Sequence, residues 1–163
     1  MATDLSQLMD HLNSDEISVR LAACEKLAQI GPDARSAAVP LCRLTADPDE
    51  SVREAAVSAL ETLETPAIED ASALAQLMSS SAADVRFWAA TLLGRLGPSA
   101  ERQAPALLAA ITGDQAIPVQ QKAVWAIDQI GVRTASAKAA LEQAAQSTDP
   151  RLARLATKAL ANF

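Results

Sequence analysis

The chain has 163 residues, with 14 Lys and Arg against 20 Asp and Glu for a formal net charge of −6; half of it is hydrophobic, yet only four residues are aromatic and none is Tyr. Ala fills 37 positions; Ala is the strongest helix former, whereas strands favour β-branched and aromatic side chains, so the composition predicts an all-α fold and excludes a β-rich one. The acidic balance argues against a nucleic-acid groove, which needs clustered positive charge. Apolar runs such as "FWAATLLG" fall far short of the roughly 20 residues a membrane helix needs.

The start, "MATDLSQLMDHL", carries acid early and has no basic stretch leading into an apolar one, so it does not read as a secretory leader. A cytoplasmic location is the expectation. Cys24 and Cys42 form no metal-type spacing and read as reduced, small core residues.

In chain order the sequence resolves into five similar helix pairs. The first, at about residues 3–31, has Leu8 in a helix A, the turn "NSDEIS", and Val19, Ala23, Leu27 and Ile30 in a helix B that stops at Gly31-Pro32. The second, 34–64, has Leu41 and Leu44, the turn "ADPDES", then Val52, Ala56, Leu60 and Leu63, with a stop at Thr65-Pro66. The third, 70–97, has Leu74 and Leu77, the turn "SSSAAD", then Val85, Ala89, Leu93 and Leu96 before Gly97-Pro98. The fourth, 101–131, has Leu108 and Ile111, the turn "TGDQAIP", then Val119, Ala123, Ile127 and Ile130 before Gly131. The fifth, 135–163, has Leu141, the turn "STDP", then Leu152, Ala156, Leu160 and Phe163.

Counted from the aliphatic anchors Val19, Val52, Val85, Val119 and Leu152, the steps are 33, 33, 34 and 33. Such a period marks stacked supersecondary units. Offsets 0, +4, +8 and +11 from each anchor share one apolar face of a helix. Turn Asp, Ser and Thr supply caps for helix B, and Gly or Pro just beyond it supplies the stop. No linker is long enough to divide the chain, so one domain of ten helices is expected. A lone pair cannot bury both its apolar faces and must stack on its neighbour, which makes an α-solenoid.

The segments "DPDESVREAAVSAL", "ADVRFWAATLLGRLGP", "IGPDARSAAVPLCRL" and "LGPSAERQAPALLAAI" resemble HEAT repeats, specifically the short type first associated with phycobilisome lyase subunits. The resemblance covers nearly the whole chain. It implies a right-handed α-α superhelix with the B helices on the concave side. It also implies a ladder between turn Asp residues and the Arg after each anchor, for which Asp47, Asp49, Asp84, Arg20, Arg53 and Arg86 match. The fourth repeat departs with Pro118 and Gln120, and the fifth with Ala153. Fold alone leaves function open, because many functions share one scaffold.

Catalytic chemistry finds little to work with. General acid–base and nucleophilic catalysis draw on His or on paired carboxylates in a pocket, and the single His, His11, falls in the apolar column of the first helix A and reads as partly buried. The absence of a His-Glu dipeptide excludes the paired-iron chemistry of some HEAT-like enzymes. "GRLG" at Gly94–Gly97 lacks phosphate-loop spacing and reads as a helix stop. No cofactor and no metal are expected.

A binding face remains. Residues 1–80 carry 14 acids and 5 bases, net −9, and residues 81–163 carry 6 acids and 9 bases, net +3, an electrical asymmetry able to orient a partner. Helix-B offsets +2, +6, +9 and +10 point away from the core. In the second repeat they are Glu54, Ser58, Glu61 and Thr62; in the third, Phe87, Thr91, Gly94 and Arg95; in the fourth, Gln121, Trp125, Asp128 and Gln129. Trp88 sits on the shoulder between core and surface. Three of the four aromatics thus fall on two adjacent B helices beside Arg95, a composition typical of interface anchors; the other reading of the rings is filler for a core made of alanines. The sequence therefore predicts a non-catalytic protein-binding scaffold whose partner site comprises Phe87, Trp88, Thr91, Arg95, Gln121, Trp125 and Asp128. The alternative is an accessory or regulatory subunit of an enzyme, similar to the bilin lyases, with an apolar ligand in the groove. The last helix, "RLARLATKALANF", has no polar helix after it, so weak self-association through Leu155 and Phe163 is also expected.

Overall fold

The computed structural model describes residues 5–163; the expected start of the first repeat at residue 3, and the first residues of the segment read as lacking a leader, lie outside the described residues. The described residues form ten α-helices joined by turns and three stretches of 3-10 helix. They fall into two compact units, the first ending at Asp70 and the second spanning residues 71–163.

The first unit holds α1 (Leu5–His11), α2 (Ile17–Ile30), α3 (Ala38–Leu44) and α4 (Glu50–Thr62), with 3-10 segments at Gly31–Ala37 and Ile68–Asp70. Helix α1 packs on α2, α3 on α4, and the two B helices, α2 and α4, lie against each other. Helix α4 starts where it does because the Asp49 carboxylate accepts from the Ser51 and Val52 N–H groups, satisfying two donors that no helical carbonyl can reach.

The second unit holds α5 (Ala71–Leu77), α6 (Ala83–Arg95), α7 (Ala104–Gly113), α8 (Ile117–Ile130), α9 (Ala135–Ala145) and α10 (Pro150–Leu160), with a 3-10 segment at Gly97–Gln103. The B helices α6, α8 and α10 pack in succession, and α7 and α9 pack behind them. Asp149 caps α10 through the Leu152 N–H, and Thr134 caps α9 through Ala137.

The helix-B periodicity is the core. Ala23, Ala56, Ala89, Ala123 and Ala156 are all buried, as are Leu27, Leu60, Leu93 and Ile127 one turn on. A methyl at that column lets neighbouring helices close to contact, and close contact is where dispersion energy is gained. Helix A needs one correction. Leu8, Leu41, Leu74 and Leu141 are buried, but in the fourth pair the buried leucine is Leu107, while Leu108 is half-exposed. The extra residue of that repeat lies in the turn between α7 and α8, so counting eleven back from Val119 stops one residue short. The second row of helix A is one residue later than expected in the first three pairs, where Leu12, Thr45 and Met78 are buried and Leu44 and Leu77 are half-buried; in the fourth, Ile111 is buried as expected.

The helix stops are glycines in the left-handed region, with φ of 64° at Gly31, 58° at Gly97 and 80° at Gly131. At the matching position of the second pair stands Glu64, with φ of 63°. The break there is made by a residue that pays a steric penalty for it, not by Thr65-Pro66. Gly94 is not a stop: it lies inside α6 and is buried.

The ladder exists, with Asp47 as expected and one different carboxylate. Arg20 grips Asp47 with Nε to Oδ2 at 2.8 Å and Nη2 to Oδ1 at 3.0 Å. Arg86 grips Asp114 in the same fork, at 2.6 and 2.8 Å. Asp49 is a cap and Asp84 is exposed; Asp114 fills the role assigned to them. Arg20, Arg53 and Arg86 each also donate to the carbonyl six residues back, of Ser14, Asp47 and Ser80. Gln120 does the same to Asp114 at 2.7 Å, so the fourth repeat keeps the backbone bond without the charge. Gln121 supplies a neutral rung, donating to Asp149 Oδ1 at 2.9 Å.

Candidate functional site

The second unit carries a cleft of about 250 Å³ lined by Phe87, Pro118, Gln121, Lys122, Trp125, Arg151 and Leu155. Its construction follows from helix phase. Adjacent B helices leave a furrow bordered by offsets +2 and +6 of one helix and −1 and +3 of the next. Phe87 and Gln121 are at +2, Trp125 at +6, Pro118 and Arg151 at −1, and Lys122 and Leu155 at +3 of α6, α8 and α10.

Trp125 is seated by a glycine. A Cβ built on Gly94 would strike its ring and lie 3.0 Å from the Ala126 Cα; only a residue without a side chain lets the indole lie down on α6. The ring stays half-exposed on its other side. Lys122 Nζ sits 4.9 Å from the Phe87 ring centroid and 4.8 Å from that of Trp125. Each such cation–π contact is worth about 0.5–2 kcal/mol, rising with desolvation. Burial pushes the Lys122 ammonium below the usual lysine range, and Arg95 and Arg151 push it the same way. Among the described residues no carboxylate lies within ion-pair distance of Lys122. The ring faces are what hold the charge.

The predicted residues are only partly gathered. Phe87, Gln121 and Trp125 meet in the cleft. Trp88 is 9 % exposed, packs edge-on to Phe87 at 6.0 Å between centroids, and carries Arg95 over its ring at 5.6 Å. Thr91 is 5 % exposed and donates its hydroxyl to the Phe87 carbonyl at 2.8 Å, so it is part of the helix and not of the surface. Asp128 accepts from Asn162 Nδ2 at 2.9 Å and from Arg133 Nη2 at 3.3 Å. Arg133 in turn lies 5.1 Å over the Phe163 ring, so Asp128 belongs to a clasp on the C-terminal end. Pro118, Lys122, Arg151 and Leu155 were not predicted. The signal was available: offsets −1 and +3 border the furrow as surely as +2 and +6 do.

Elsewhere, His11 is half-buried at the end of α1. Cys24 and Cys42 are buried thiols in the first unit, both pushed up to about 12 chiefly by burial. Among the described residues no group of three or more His, Cys, Asp or Glu is placed to hold a metal, and no helix is long and apolar enough to cross a membrane.

Helix pairs of one period, with B helices stacked on B helices, define an α-solenoid. A family profile for HEAT repeats matches residues 5–94 and 43–128, and the chain belongs to the HEAT-repeat family. No relative is found among curated proteins. Among solved structures the chain is similar to a designed armadillo-repeat protein in complex with the peptide (KR)4, at 21% identity over 98% of this chain and 82% of that one, with a TM-score of 0.68. It is similar to an engineered protein at 23% identity over 98% and 81% of the two chains, TM-score 0.66. It also resembles a chain of the CpcE–CpcF complex of phycocyanin lyase from Nostoc sp. PCC7120, at 17% identity over 95% and 96%, TM-score 0.61. These likenesses show the fold.

Proposed function

We propose that this chain is a non-catalytic protein-binding module, and that a segment of another protein docks on the B-helix face of the second unit. One observation carries the reading: the half-exposed Phe87 and Trp125 rings are fixed in place before any partner arrives, by Gly94 beneath and Lys122 between. Rigid aromatic surface in a furrow gains its burial only on docking, which is how interface anchors act. The fold likeness to a repeat protein solved with a peptide and to a two-subunit lyase is compatible with this reading. The cleft, at about 250 Å³, is below the roughly 300–1,000 Å³ of small-molecule pockets. That favours side chains of a docked segment over a ligand of tetrapyrrole size. Self-association through the C-terminal pair is the weaker reading, because Arg133 and Asp128 already engage Phe163 and Asn162.

The test is Trp125→Ala, followed by thermal melting and by affinity capture. The fold should survive, with a loss of about 1–2 kcal/mol for a ring packed on one side only. Capture of the native partner should fall by about thirty-fold or more, the scale of a hot-spot truncation. Undiminished capture by a folded Trp125→Ala protein would sink the proposal.

A further inference from the structure

We infer that the docked segment is acidic: a carboxylate-bearing side chain enters the cleft between Lys122 and Arg151, while an apolar neighbour lies against Phe87, Trp125 and Leu155. This rests on the docking reading above and names its chemistry.

The argument is one of unmatched charge. Two cations, Lys122 and Arg151, line the cleft, and no acid lines it. The nearby carboxylate Asp149 accepts from the Gln121 amide and the Leu152 N–H and faces the Arg151 charge, so Lys122 is the cation left unmatched. Lys122 is flanked by two like charges, Arg95 and Arg151, and by burial, so its ammonium has ring faces on two sides and no counter-ion among the described residues. An entering carboxylate would meet a preorganised, partly desolvated Lys122 beside the exposed Arg151, and charge-assisted hydrogen bonds are the strong ones. The apolar wall fixes what must accompany it. Phe87, Pro118, Leu155 and the Trp125 ring face form a mostly apolar wall, so the residue beside the acid is aliphatic or aromatic. A nucleic acid offers anions and stackable bases too. It needs a track of cations along its backbone, and a unit with 9 bases against 6 acids does not supply one.

The experiment is a fluorescence titration of the full chain, read through its tryptophans, with short peptides alternating Glu with Leu, Gln with Leu, and Lys with Leu. A short single-stranded oligonucleotide forms a fourth arm. The Glu-Leu peptide should bind at least about tenfold more tightly than the Gln-Leu peptide, and weaken with salt. Lys122→Met keeps the apolar stem and removes the charge; Arg151→Glu acts at an exposed position where folding is not at stake. The first should abolish the preference, and the second should shift it towards the Lys-Leu peptide. Equal binding of the Glu-Leu and Gln-Leu peptides, a preference for the basic peptide or for the oligonucleotide, or no peptide binding at all would each overturn the inference. The docking reading is judged separately. Capture that depends on Trp125 but is indifferent to Arg151→Glu leaves docking standing and removes the acidic partner. Capture that is indifferent to Trp125 removes both.

Discussion

The two units present the same furrow with opposite character. In the first, the groove between α2 and α4 is lined by Leu21, Glu25, Ala28, Ser51, Glu54, Ala55 and Ser58. In the second, the matching positions of α6 and α8 are Phe87, Thr91, Gly94, Pro118, Gln121, Lys122 and Trp125. Leucine becomes phenylalanine, serine becomes tryptophan, alanine becomes lysine, and both glutamates are gone. The backbone is common to the two, down to a forked arginine–carboxylate rung in each. The difference teaches that in this chain the frame is repeated and the surface is not: the two units diverge at the four or five offsets that border a furrow.

If the frame is common, breaking its rung should hurt both units alike. Asp47→Asn and Asp114→Asn should each cost about 1.5–3 kcal/mol at neutral pH, the scale of hydrogen bonds to a charged group. The side chains of Asp47 and Asp114 are only 4% and 5% exposed. The sign with pH follows from the carboxylates. Asp114 is held below the usual range, first by its bonds from Arg86. Asp47 is raised by burial, but the bonds from Arg20 and the Asp49 N–H outweigh that and leave it lowered. A folded-state value below the unfolded one, near 3.9, means stability that is present above about pH 4 and lost as pH falls further. Urea melts of wild type and variants should therefore converge on acidification. A gap that persists undiminished at low pH would show that the rung is not electrostatic.

The next largest effect separates the furrows. Gly94→Val must displace the Trp125 ring and crowd Ala126, and should cost about 1–3 kcal/mol as overpacking. Ala28→Val, at the matching offset of α2, meets no indole and should cost under about 1 kcal/mol, mostly helix propensity. Equal losses for the two would mean that Trp125 is not seated where it is described.

The smallest effect concerns how the second repeat ends. Glu64 holds φ of 63° where the other three stops are glycine. Glu64→Gly should stabilise by about 0.5–1 kcal/mol, the relief of left-handed strain less the greater entropy of glycine in the unfolded chain. A loss of melting temperature would show that the contacts of the Glu64 side chain outweigh the strain.

The repeat was legible in the sequence because its period is enforced by burial: a leucine, an alanine and an aliphatic must return in phase or the stack opens. The exceptions share one cause. Leu107 was missed for Leu108 because the inserted residue could sit on either side of helix A, and nothing in the apolar pattern chooses. Glu64 was missed because no residue type announces a left-handed conformation that only the neighbours impose. Phe87 and Trp125 were legible as rings in the wrong place for a core. Lys122 was not, since a lysine on a helix shoulder normally reads as solvated surface, and only the placement of both rings around it makes it part of a site. Thr91 and Asp128 shared the right face but were taken by bonds within their own unit, which offset counting cannot see.

The buried cysteines have a practical meaning. Both thiols of the chain, Cys24 and Cys42, lie in residues 1–70, and both tryptophans, Trp88 and Trp125, lie in residues 71–163. At neutral pH a thiol pushed up to about 12 is almost wholly protonated, and only the thiolate reacts. Labelling by a thiol reagent therefore waits for the first unit to open, while indole emission reports the second. The unaltered protein thus carries one independent clock in each half, and the denaturant dependence of labelling rate and of fluorescence, recorded on a single sample, distinguishes cooperative unfolding from unfolding in two steps.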